Sequence, residues 1–127
     1  MEKESKRILV VDDEDALRSK LQNLLCSHGF FVQTASSGRK AIELAADLSN
    51  KIDLVLLDLR MPVMDGEETF KELRNLRPTL KVVLCTSFRE DDVLARFVDV
   101  EVSGILKKPY SLKKLLTQIN EILAKKS

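Results

Sequence analysis

The stretch that decides the fold is Ile8-Leu9-Val10-Val11-Asp12-Asp13-Glu14. Four consecutive apolar residues, three of them β-branched, stop abruptly at an acidic turn. Leu17, Leu21, Leu24 and Leu25 then recur at helical spacing. An uninterrupted apolar run of this length suits a strand covered on both faces, as in a parallel sheet, and the stripe behind it suits an amphipathic helix.

The same unit recurs along the chain. Further strong runs are Leu54-Val55-Leu56-Leu57, Val82-Val83-Leu84-Cys85 and Gly104-Ile105-Leu106, with a weaker one at Phe30-Phe31-Val32-Gln33-Thr34. Helical stripes separate or follow them: Ala41, Leu44, Ala45 and Leu48; Phe70, Leu73 and Leu76; Val93, Leu94, Phe97 and Val98; and Leu112, Leu115, Leu116, Ile119, Ile122 and Leu123. Asp65 and Glu68 form a capping-box-like pair, Ser111 precedes the last stripe, and Gly29 stands where a helix ends. Five β-α units in succession predict an α/β fold: a five-stranded parallel sheet with right-handed crossovers and five helices on both faces. The expectation is one domain over 1–127, with its core at about 6–124.

Composition narrows the function classes. Of 127 residues, 44% are hydrophobic and 32% charged, the balance of an ordinary globular chain. Twenty-one basic and 20 acidic residues leave a net charge of +1, which gives no general pull toward nucleic acid. No run approaches the ~20 apolar residues of a membrane span, and the first residues carry no apolar signal core, so a cytoplasmic chain is expected. Cys26 and Cys85 both read as buried small hydrophobes.

In an open parallel sheet, ligands bind beyond the carboxyl ends of the strands. Asp12 and Asp13 follow the first run, Asp58 the third, Thr86 and Ser87 the fourth, and Lys107-Lys108-Pro109 the last. Asp53 precedes its run and belongs to the opposite edge, as a strand-end residue. Any one of these has an ordinary explanation; an Asp pair after a strand also suits a helix start. Their meeting at one edge, derived from apolar patterning alone, points to chemistry. Carboxylates about 4 Å apart repel by roughly 4 kcal/mol per pair at an effective dielectric of ~20, so a lysine, a proton or a cation must offset them. Oxygen donors on loops suit Mg²⁺. One carboxylate can then act as a nucleophile toward phosphorus, with Thr86 and a lysine meeting the phosphoryl oxygens.

These residues resemble the receiver domains of two-component response regulators. The likeness runs from about Lys6 to Leu123 and rests on Ile8 to Glu14, on Leu54 to Gly66 with Asp58-Leu59-Arg60-Met61-Pro62 at its centre, on Thr86, and on Lys108-Pro109. It is similar to chemotaxis-type single-domain receivers and to receivers attached to hybrid histidine kinases. The resemblance implies the flavodoxin-like strand order 2-1-3-4-5. It implies a signalling phosphoacceptor rather than an enzyme: Asp58 accepts the phosphoryl group from a histidine kinase or phosphotransfer protein. Asp13, Asp58 and the Arg60 carbonyl hold Mg²⁺ directly, and Asp12 does so through water. Thr86 and Ser87 form the switch loop, and Lys108 is the family lysine. A downstream effector would bind the face of the fourth helix, fifth strand and fifth helix, the chain being a monomer or a phosphorylation-dependent dimer.

The departures carry expectations too. Receivers often have an aromatic residue where Ile105 stands, so the switch should be muted, and Glu101 replaces a common glycine. Arg60 and Phe88 occupy the positions past which water attacks; neither can orient that water, which implies a long-lived phosphoryl group.

Rivals fit less well. A haloacid-dehalogenase-type phosphatase needs a second aspartate where Arg60 stands, and a dinucleotide site needs glycines where Asp12 to Glu14 stand. A phosphate-loop lysine motif is missing, and His28, the sole histidine, suits a helix end. The remaining alternative is a phosphorylation-independent interaction module on the same fold.

Overall fold

In the computed structural model, residues 6–59, 66–86 and 102–124 are described. The elements are β1 (Arg7–Val11), α1 (Asp15–Ser27), β2 (Phe31–Ala35), α2 (Gly38–Ala46), β3 (Leu54–Asp58), α3 (Gly66–Leu76), β4 (Lys81–Thr86), β5 (Gly104–Lys107) and a C-terminal helix (Leu112–Ala124). All four strand pairings are parallel, and the order is β2-β1-β3-β4-β5. The expected stripe at Val93 to Val98, Asp65 of the capping-box pair and Glu101 lie outside the described residues.

The two-residue strand period divides the core into two layers. Leu9, Val11, Val55, Leu57, Val82 and Leu84 point to one face, where Ala41, Ala45, Phe70 and Leu73 of α2 and α3 cover them. Ile8, Val10, Leu54, Leu56, Val83 and Cys85 point to the other, under Leu21, Leu25, Leu115 and Ile119 of α1 and the C-terminal helix. β2 is an edge strand and only partly buried, which is why its apolar run is weaker than the rest.

Helix ends follow local chemistry. Ser37 Oγ accepts from Lys40 N at 3.2 Å and Ser111 Oγ from Lys114 N at 3.1 Å. Gly29 has φ +90°, and the amides of His28, Gly29 and Phe30 return to the carbonyls of Leu25 and Cys26. His28 sits at this exposed end with its Nδ1 at 2.8 Å from Leu24 O, a helix-end role as expected.

Two expectations need correction. Leu48 is 73% exposed and not part of the α2 stripe. The helix stops at Ala46 because Asp47 turns out of it and accepts from Ser49 N and Oγ. Cys26 is exposed, whereas Cys85 is buried. Cys26 stands about 100° around the helix from the inward-facing Leu25, which carries its thiol off the core stripe.

The amino edge of the sheet is tied by polar clips. Arg7 N donates to Asp53 Oδ2 at 2.7 Å while Asp53 N donates to Arg7 O at 2.8 Å, so Asp53 joins β1 to the entry of β3. The Arg77 guanidinium donates to the carbonyls of Ala45, Asp47 and Asn50, closing the end of α2. Lys81 Nζ donates to Ile122 O near the end of the C-terminal helix.

Candidate functional site

The opposite, carboxyl edge gathers the reactive groups. Asp12 follows β1, Asp58 ends β3, Thr86 ends β4 and Lys108 follows β5. The ladder continues just past the strands and fixes each turn: Asp12 N donates to Ala35 O at 3.1 Å, Leu59 N to Cys85 O at 3.2 Å and Lys108 N to Thr86 O at 2.7 Å. The side chains are therefore aimed by sheet hydrogen bonds rather than by free loops.

Asp12, Asp58 and Thr86 are buried, while Asp13 is exposed. One carboxylate oxygen from each of Asp12, Asp13 and Asp58 lies within 4.8 Å of the others. Lys108 Nζ stands 3.5 Å from Asp58 Oδ2 and 3.9 Å from Asp12 Oδ2. One ammonium thus offsets two buried carboxylates on adjacent strands. Asp12 Oδ1 accepts from Glu14 N at 2.9 Å, which leaves Oδ2 to face the cluster.

This donor set fits Mg²⁺. It offers three carboxylates, all oxygen donors, one of them open to solvent, the kind of set that Mg²⁺ takes with waters as its other ligands. Softer ions want sulfur or imidazole. Among the described residues the sulfur beside the site is that of Cys85, paired in register with Asp58, but burial pushes its thiol up to about 12, so it stays protonated. Burial also pushes the Tyr110 phenol up, helped by the negative charges of Asp12 and Asp58.

The structure brings together Asp12, Asp13, Asp58, Thr86 and Lys108 as the sequence indicates. Arg60, Ser87 and Phe88 lie outside the described residues. Ile105 is half-buried and packs against the α2–α3 layer, next to Leu84 in register. Asp53 is at the far edge, as expected.

Two supporting residues complete the site, of which sequence reading missed Arg18. Gly66 begins α3, as the Asp-Gly pair after Asp58 implies; it packs on the Leu59 backbone, and its N donates to Leu59 O at 3.1 Å. Arg18 reaches back from α1, its Nη1 donating to Asp12 O at 2.8 Å and its Nη2 to Asp15 Oδ1 at 2.5 Å. The Asp65-Gly66 pair signalled the first; an arginine one turn into a helix carries no such signal.

An apolar groove of about 530 Å³ lies beside the site, between Leu17, Leu21 and Leu24 of α1 and Leu112 and Leu115 of the C-terminal helix. Lys108 and Tyr110 line its end, and Leu112 is partly exposed in it.

Comparison with known proteins agrees with this geometry. Residues 8–120 match the profile of the response regulator receiver domain. The chain is 38% identical over 122 residues to the sensor kinase CckA of Brucella abortus, covering 95% of this chain and 13% of that protein. It is 37% identical over 119 residues to the response regulator MprA of Mycolicibacterium vanbaalenii, covering 92% of this chain and 50% of the relative. The chain therefore spans half or less of these relatives. The crystal structure of response regulator protein TrrA from Thermotoga maritima, in complex with Mg²⁺-BeF, superposes with a TM-score of 0.79 at 29% identity, covering 92% of this chain and 98% of that one.

Proposed function

We propose that this chain, which belongs to the response regulator receiver domain family, accepts a phosphoryl group on the Asp58 carboxylate and serves as the phosphoacceptor of a two-component relay. The observation that carries the reading is the shared Lys108 ammonium, 3.5 Å from Asp58 and 3.9 Å from Asp12, beside three convergent carboxylates.

The donor is a phosphohistidine of a kinase or phosphotransfer protein. An Asp58 oxygen attacks phosphorus, the new O–P bond forms as the N–P bond breaks, and the electron pair goes to the ring nitrogen. The Lys108 ammonium, 3.5 Å from Asp58 Oδ2, offsets the charge of the attacking carboxylate in its buried position. Once charge has moved onto the phosphoryl oxygens, the same ammonium and the Thr86 hydroxyl meet them. Asp13 and Asp58, with the Arg60 carbonyl, would hold Mg²⁺ directly, and Asp12 through water. Bound there, the ion would supply Lewis-acid neutralisation of the phosphoryl oxygens. Thr86 turning toward the phosphoryl group would then change the face that includes β5 and the C-terminal helix, where an effector would bind.

Intact mass after incubation with acetyl phosphate and Mg²⁺ tests this. The wild type gains one phosphoryl group and Asp58→Asn gains none. Labelling of Asp58→Asn at an equal rate would overturn the assignment. No gain in the wild type would favour a phosphorylation-independent interaction module.

A further inference from the structure

We propose that Arg18 is a positioning residue for the cation-binding loop: it sets the Asp13 carboxylate by holding the peptide plane between Asp12 and Asp13. The proposal rests on the reading of Asp13 as a Mg²⁺ ligand.

Asp12 and Asp13 differ in how they are held. Asp12 is fixed three ways, by its ladder bond to Ala35 O, by Glu14 N on Oδ1 and by Lys108 beside Oδ2. Asp13 is exposed, and among the described residues its carboxylate has no hydrogen-bond partner. Its direction therefore depends on its backbone. The carbonyl of Asp12 and the N–H of Asp13 share one rigid plane, so fixing the carbonyl fixes the start of Asp13. Arg18 Nη1 does this at 2.8 Å.

The helix start gives the loop little other support. Glu14 is the N-cap of α1, and its side chain makes no capping hydrogen bond. Arg18 spans the gap instead, with one nitrogen on Asp12 O and another on Asp15 Oδ1, so that a single planar guanidinium ties both ends of the four-residue turn. The Arg18 side chain is only 17% exposed and its bond to Asp12 O is partly buried, whereas its Asp15 partner is open to solvent.

The two physical effects of Arg18 on a cation have opposite signs. Its positive charge opposes a second cation nearby, and its bonding favours one by pre-setting Asp13. Partners that orient metal ligands are worth roughly 10- to 100-fold in affinity. The Arg18 charge is already drawn down by the Asp15 carboxylate, so positioning wins.

The test is a Mg²⁺ titration followed by thermal unfolding and by the Asp13 and Glu14 amide signals, on wild type, Arg18→Ala, Arg18→Lys and Asp13→Asn. Arg18→Ala should bind Mg²⁺ about ten-fold more weakly. Arg18→Lys, with one donor retained for Asp12 O, should recover part of the loss, a rescue that a general loss of helix stability would not show. Unchanged or tighter binding by Arg18→Ala would overturn the proposal while leaving the cation site standing. A wild type with no Mg²⁺ response, equal to Asp13→Asn, would overturn the cation site and this proposal together.

Discussion

Gly66 rests on the backbone of Leu59: a β-carbon at Gly66 would overlap Leu59 Cα and stand 2.7 Å from Asp58 O. Both atoms are main chain and cannot swing aside. The segment that carries Asp58 and the helix behind it are thus spaced by a missing methyl group. Gly66→Ala should lower stability by about 1–3 kcal/mol, the usual cost of overpacking, despite alanine's better helix propensity. Urea unfolding measures this, and acetyl phosphate labelling of Asp58 should slow in the same variant.

Lys108 answers two buried carboxylates at once. Lys108→Met should therefore destabilise the cation-free protein. The lysine is partly exposed, so the cost falls between that of an exposed pair and a buried one, roughly 1–3 kcal/mol. Mg²⁺ should raise the melting temperature of the variant more than that of the wild type, because the ion then takes over the charge neutralisation that Lys108 supplied. A smaller Mg²⁺ shift in the variant would contradict this electrostatic account.

The two thiols should separate cleanly by reactivity. Cys26 is exposed and Cys85 is buried with its thiol pushed up to about 12. Iodoacetamide at pH 8 should add one group to the native protein and two in urea, read by intact mass. The sign for stability follows from the same shift. Below pH 9, the ordinary thiol value, both folded and unfolded Cys85 are protonated and nothing is lost; above it the unfolded thiol ionises first, and stability falls until the folded value near 12 is passed. The drop in urea midpoint between pH 8 and pH 10.5 should be smaller in Cys85→Ala.

Thr86 is fully buried at the end of β4, and Ile105 is half-buried on β5. Ile105 is β-branched and stiff at χ1, so it has little rotamer freedom with which to follow a movement of Thr86. Beryllofluoride with Mg²⁺ should therefore perturb amide signals from Thr86 to Asp92 more than those around Ile105. Thr86→Ala should still take up phosphate but lose phosphate-dependent partner affinity.

The sheet was legible because burial on both faces leaves a plain mark, four or more apolar residues in a row, at β1, β3 and β4. β2 is marked faintly because one of its sides faces away from the sheet. Asp12, Asp13, Asp58, Thr86 and Lys108 could be placed on one edge from the strand ends alone. What pattern reading misplaced were positions decided by a single local bond or a single step of helical phase. Asp47 and Ser49 end α2 before Leu48 can join its stripe, and Cys26 turns outward one residue after Leu25. Arg18 and Arg77 work through main-chain carbonyls brought together by the fold, and no spacing in the sequence foretells such partners.

The clips at the amino edge separate two kinds of freedom. Asp53 on Arg7, Arg77 on three carbonyls and Lys81 on Ile122 all lie at the end of the strands away from the carboxylates. Strands of five residues, rising about 3.3 Å each, set the two edges roughly 13–17 Å apart. That exceeds the ~7–10 Å over which substitutions usually influence one another. The carboxyl edge can therefore accumulate changes that retune donor or effector choice while the amino edge independently absorbs their cost in stability, a division that lets specificity drift on a scaffold that does not.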